Sequence, residues 1–192
     1  LVAAKRRGLD FVGFVDHDTT AATAQAMAIG LRLGVTVIPA VEISAWDPRR
    51  GRKVHILGYN YRLPAQNIEA LCRPLRLARD ANTRRQIEEV IGAGYTISEE
   101  AVMAHARGPE HLAEAANLES DPTLYKQHIM LALIDAGYTD TIYSPLYRTL
   151  FKGDGVAAHD IAYVDAREAV RAIRADGGQP VLAHPGQLDS WE

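Results

Sequence analysis

The chain has 192 residues, 47% of them hydrophobic and 23% charged, a balance that excludes long disorder and fits one core domain carrying a smaller insert. A net charge of −3 offers no global basic field for nucleic acid, and no apolar run approaches the roughly 20 residues of a membrane span. The single Cys72 excludes an internal disulfide and a cysteine-rich zinc site, and fits a reducing cytoplasm.

Leu1 to Gly8 reads as the last turn of a helix with its glycine stop, so the chain is expected to be a fragment with residues missing upstream. Leu9 to Val15 is a short apolar run with β-branched and aromatic residues, a buried strand that delivers Asp16-His17-Asp18 at its end. Thr19-Thr20 is placed to cap an Ala-rich helix that stops at Gly34. A second buried strand, Val35 to Val41, hands over to Glu42-Ile43-Ser44. A turn around Asp47 to Gly51 then leads to a third, Lys53 to Tyr59. This β-α-β order with continuous apolar strands predicts a parallel sheet of the α/β class, covered on both faces.

Beyond Pro64 the texture changes. Ile68 to Gly92 has helical spacing and many Arg and Glu residues; Ser98-Glu99-Glu100 reads as a helix start, and Leu124 to Ala136 as an amphipathic helix stopped by Gly137. The stretch 64–152 is therefore expected to be a helical insertion between core segments 1–63 and 153–192. Asp165 to Ala175 predicts a helix closed by Gly177-Gly178, and Pro180 to Ala183 a strand that hands over to His184-Pro185-Gly186.

His17, Glu42 and His184 follow the ends of apolar β runs, and His55 lies within one. In parallel α/β folds the strand ends share one mouth, so residues distant in sequence converge there. Imidazole and carboxylate are the ligands of Zn, Mn or Fe, and these four are the candidate metal ligands. Asp16 and Asp18 flank His17; either orients the imidazole or ligates weakly, and Asp18 alternatively caps the next helix.

Gly8 to Thr19, Val37 to Ser44, His55 to Tyr59 and Val181 to Gly186 together resemble the polymerase and histidinol phosphatase (PHP) family in order and spacing. The segment from His128 to Tyr138, with Asp176-Gly177-Gly178, is most similar to its branch of small bacterial phosphoesterases acting on nucleotide 3′,5′-bisphosphates or RNA ends. The resemblance implies a partial, distorted (β/α)7 barrel with a helical insertion domain, and two or three divalent metal ions (Mn, Zn or Fe). His17 would bind one metal, while Glu42, His55 and His184 would share another, Glu42 bridging. A metal-activated water would hydrolyse a phosphate ester of a nucleotide or short oligonucleotide. Asp16 and His128 are the catalytic candidates, and Lys126 and His128 the substrate-binding ones. The expected partner is a small nucleotide or RNA end in the cytoplasm, with no membrane and no stable nucleic-acid complex.

Departures from the family pattern are specific. Its opening Asp-Leu-His-x-His-Ser and closing Gly-Ser-Asp-x-His are absent, and Lys126-Gln127 stand where the branch has Arg-Pro. Lys126 offers phosphate a point charge without the bidentate fork of Arg. His128 equally suits a histidine at the seam of insert and barrel. Arg79, Arg84 and Arg85 form either a basic rim or, the favoured reading, a solvated face laced with ion pairs. For Tyr59 and Tyr61 packing is favoured over base stacking. His105, His111 and His159 receive no role, and Cys72 none as a nucleophile. The rival readings are a metal-dependent amidohydrolase and an inactive PHP module. No phosphate loop, dinucleotide fingerprint or serine elbow is present.

Overall fold

The computed structural model describes residues 1–108 and 122–186. His111 and the segment after Gly186 lie outside the described residues. Two compact units are present, one holding Leu1–Leu75 and the chain from Tyr163 on, the other Arg76–Ala162.

The first unit contains α1 (Val2–Arg6), β1 (Phe11–His17), α2 (Thr23–Leu33), β2 (Thr36–Asp47), β3 (Arg52–Tyr59), β4 (Val164–Asp165), α7 (Ala166–Ala175) and β5 (Gln179–Leu182). The strands form one mixed sheet in the order β1-β2-β3-β5, with β4 against β2. The first crossover is parallel as the sequence predicts, β1 beside β2 with His17 opposite Glu42. An all-parallel sheet is not what forms. β3 and β5 run antiparallel to their neighbours, because Asp47 to Gly51 closes a hairpin instead of a crossover. There the Asp47 side chain accepts from Arg49 N, its carbonyl accepts from Gly51 N, and Gly51 adopts φ 61°.

Strand pairing fixes which side chains share a face. Val41, Ile43, Ala45, Val54 and Ile56 face α7 and the start of helix α3 (Gln66–Gly92), where they form a core with Ile68, Cys72, Ala169 and Ile173. Fully burying each large aliphatic there contributes about 1.5–3 kcal/mol. Gly58 belongs to this face because a Cβ on it would meet Ile173 Cγ1 at 2.9 Å. Register puts His17, Val15 and Phe11 of β1 on the opposite face, together with Glu42, His55 and Val181. That face is open: Phe11 is 66% exposed and Val181 46%.

α2 stops at Gly34, whose φ of 66° supplies the left-handed cap the sequence predicts. Its start differs from expectation. The N-cap is Ala22 without a side-chain bond, while Thr20 gives both its N–H and its hydroxyl to Glu69 Oε1 at 2.6 Å. Asp165 caps α7 by accepting from Arg167 N.

Helix α3 (Gln66–Gly92) begins in the first unit and continues into the second, which adds α4 (Glu99–Arg107), α5 (Lys126–Asp135) and α6 (Pro145–Phe151). Ser98 caps α4 through Ala101 N, as its Ser-Glu-Glu signal predicts. The second unit's own core gathers Ile87, Val90, Val102, Leu124, Ile129, Leu133 and Phe151. Among the described residues no helix is long and apolar enough to cross a membrane.

Candidate metal centre

Four side chains named from the sequence meet at one end of the open sheet face. His17 is the last residue of β1, Glu42 its partner on β2, and His55 lies on β3 opposite Ser44. Antiparallel pairing explains how a mid-strand histidine reaches a site built from strand ends. His184 comes just after β5, where a positive φ of 26° turns the chain.

Glu42 is the hub. Its Oε1 lies 2.6 Å from His55 Nδ1 and 2.6 Å from His184 Nε2, and its Oε2 lies 3.8 Å from His17 Nε2. The ring nitrogens of His55 and His184 face each other at 3.2 Å. The ligand atoms of His17, Glu42 and His55 all fall within 4.8 Å of one another. Hydrogen bonding from His55 holds the Glu42 carboxyl down at about 2, against the upward push of burial, with His184 and His17 adding to the lowering.

This donor set fits a divalent cation. Two nitrogens bound at 2.0–2.1 Å in tetrahedral geometry stand about 3.4 Å apart, close to the 3.2 Å between His55 and His184. Two lone pairs directed at one point repel unless a proton or a cation lies between them, and one carboxylate oxygen already serves both rings. His55 Nε2 is buried without a hydrogen-bond partner. Its Nδ1 is the nitrogen that faces the other donors of the cluster.

The other predicted residues lie elsewhere. Strand alternation puts Asp16 on the opposite face from His17, so the structure does not bring it into the cluster. Burial pushes its carboxyl up, while the neighbouring His17 draws it down. Asp18 neither caps α2 nor joins the cluster. It is fully buried, and its carboxylate accepts from Ser44 N at 2.7 Å and Ser44 Oγ at 3.0 Å.

In the second unit, Lys126 opens α5 and donates from Nζ to the His159 carbonyl at 3.3 Å. Burial lowers its pKa, and the cations of Lys152 and Arg79 add to this against Asp160. His128 Nδ1 accepts from Tyr125 N at 3.2 Å, and burial lowers its pKa, with His105 contributing. Arg84 pairs with Glu99 and Arg85 with Glu89, the ion-paired face favoured from sequence. Arg79 lies over the Tyr125 ring. Tyr61 is buried, its hydroxyl bonded to Thr23 Oγ1 and the Ala40 carbonyl, so it packs.

Sequence reasoning gave His159 no role. Its ring lies between Asn82 Oδ1 at 2.8 Å and Glu89 Oε2 at 2.5 Å. The signal available was only a polar loop histidine downstream of an acidic helix face.

No family model matches the chain. It is 43% identical, over its full 192 residues and 69% of the relative's length, to the phosphoribosyl 1,2-cyclic phosphate 1,2-diphosphodiesterase of Eggerthella lenta. It is 26% identical over 188 residues, 97% of the chain, to the 3′,5′-nucleoside bisphosphate phosphatase of Chromobacterium violaceum, of which it spans 60%. A solved structure from Bifidobacterium adolescentis, assigned as a metal-dependent phosphoesterase, superposes with a TM-score of 0.81 at 25% identity, covering 96% of this chain and 60% of that one. Full-length similarity to the first of these, with the motifs that carry the cluster, places the chain in the PHP family of metal-dependent phosphoesterases.

Proposed function

We propose that this chain is the metal-binding core of a cytoplasmic phosphoesterase that hydrolyses a small nucleotide- or ribose-linked phosphate ester, using two or three Mn, Zn or Fe ions. The observation that carries this reading is the convergence of His17, His55 and His184 on the Glu42 carboxylate. The relatives support the substrate class, since one acts on a ribosyl cyclic phosphate and another on a nucleoside bisphosphate. The finer architecture, a distorted (β/α)7 barrel, is supported by the open apolar face that continues the metal ligands across the sheet.

The ligand set divides the work. Glu42 offers two carboxylate oxygens, one toward His17 and one shared by His55 and His184, and would hold metal through them. His55 would hold a metal through Nδ1, the ring nitrogen that faces Glu42 and His184, and would then keep its proton on Nε2. Divalent cations held by His17, Glu42, His55 and His184 would supply an acidified water and neutralise charge on the phosphoryl oxygens. Lys126 then contributes a point charge to a substrate phosphate. His128, kept neutral by burial, contributes a hydrogen bond or a proton through the ring nitrogen not engaged by Tyr125 N. The catalytic part expected of Asp16 finds no support in this geometry, because its side chain faces away from His17.

Elemental analysis of the purified protein tests the proposal, with hydrolysis of a cyclic phosphodiester and a nucleoside 3′,5′-bisphosphate assayed alongside. The expected result is more than one equivalent of Mn, Zn or Fe together with phosphate-ester cleavage. A protein that takes up no divalent metal overturns it.

A further inference from the structure

We propose that Asp18 is a positioning residue for the metal centre, a polar clamp that fixes the spacing of three ligand-bearing strands through Ser44. The inference rests on the metal-centre reading above.

Three observations carry it. Asp18 directly follows the ligand His17 and adopts φ 58°, a left-handed conformation that residues other than glycine rarely hold without local support. That support is explicit: the Asp18 N–H donates to the Glu42 carbonyl at 3.0 Å. Its carboxylate takes the Ser44 N–H at 2.7 Å and the Ser44 hydroxyl at 3.0 Å. Charge-assisted bonds of this kind are the strong ones, and both ends are dry, with Asp18 at 0% and Ser44 at 3% exposure.

Position does the rest. Ser44 lies two residues beyond Glu42 on the same face, and it is the direct partner of His55 on β3. One carboxylate thus ties the end of β1 to β2 at the point where β3 presents its histidine. The alternative structural task, capping α2, is excluded, because that helix starts at Thr23 with Ala22 as its cap. Without the clamp the turn after His17 is free to relax, and the His17–Glu42 separation relaxes with it.

The test is the dissociation constant for Co²⁺, by calorimetry and by the visible absorption of the bound ion, in the parent, Asp18→Asn, Ser44→Ala and the double variant. Asn keeps the size and the tolerance for left-handed backbone but loses the charge and one acceptor. Both single variants are expected to weaken Co²⁺ binding, Asp18→Asn by about 10–100-fold and Ser44→Ala by less. The double variant should be no worse than Asp18→Asn, since one interaction is lost. The metal-free melting temperature should fall by several degrees, as loss of a buried polar contact does, and the Co²⁺ spectrum should shift, which loss of stability alone would not cause. Unchanged affinity and spectrum in both single variants, with a parent that binds Co²⁺, overturn the positioning role and leave the metal centre standing. A parent that binds no Co²⁺ overturns both.

Discussion

The two units each hold a cluster in which histidine meets a carboxylate at 2.5–2.6 Å, and the clusters are built in opposite senses. In the sheet unit one carboxylate oxygen lies between two imidazoles whose nitrogens face each other. In the helical unit one imidazole lies between two acceptors, Asn82 Oδ1 and Glu89 Oε2. The first arrangement gathers the donor atoms of three residues at one point and suits a cation. The second spreads its contacts over the two sides of one ring, and it straps the loop after α6 to helix α3. Gln86, fully buried, reinforces the strap by donating to the carbonyls of Ala157 and His159. Convergence, rather than a short His–Glu distance, separates a metal centre from a fastening.

The largest effects should fall on the sheet cluster. Glu42→Gln keeps the shape of the hub and removes its charge, and His55→Ala removes a ligand outright. Both are expected to lose metal and to lower turnover by well over the 10–100-fold that outer positions command, with the circular dichroism of the fold retained. Either variant holding its full metal complement and activity would break the comparison. Lys126→Ala should come next, raising KM by about tenfold, the scale of one charge-assisted hydrogen bond, with a smaller change in kcat. An unchanged KM would return Lys126 to a purely structural contact with the His159 carbonyl.

His159→Ala tests the other side of the contrast. It leaves Glu89 and Asn82 without their shared partner and should cost about 1–3 kcal/mol of stability. A drop of several degrees in melting temperature should follow, with metal content unchanged. Metal loss in this variant would mean that the two clusters are not independent.

Much of this was legible in the sequence, and the limits have physical causes. The four candidate ligands stood out because each sits in or just after an apolar strand, and the helix stops at Gly34 and Gly137 followed from the left-handed backbone that glycine permits. Strand direction was not legible from periodicity, since a period of two is the same for parallel and antiparallel neighbours. The Asp47 to Gly51 turn held that information in its length: it is too short for a crossover. Of the readings open for Asp18, capping falls away because α2 starts later, and only the folded β2 shows that its carboxylate accepts from Ser44. His159 was passed over because its partners lie about 70 residues away, on one face of α3.

The smallest effect offers the sharpest control. Gly58 lies on β3 three residues beyond His55, with its α-carbon turned to the packed side of the sheet. A methyl there would stand 2.9–3.2 Å from three carbons of Ile173, so that side chain must shift within the core. Gly58→Ala should therefore destabilise the sheet unit by about 1 kcal/mol, the low end for overpacking, and still bind metal with parental affinity. Such a result separates loss of a ligand from loss of stability on a single strand, because only the open face would then answer to the metal. If Gly58→Ala sheds metal in proportion to its lost stability, the defects of Glu42→Gln and His55→Ala must be re-examined as defects of the sheet.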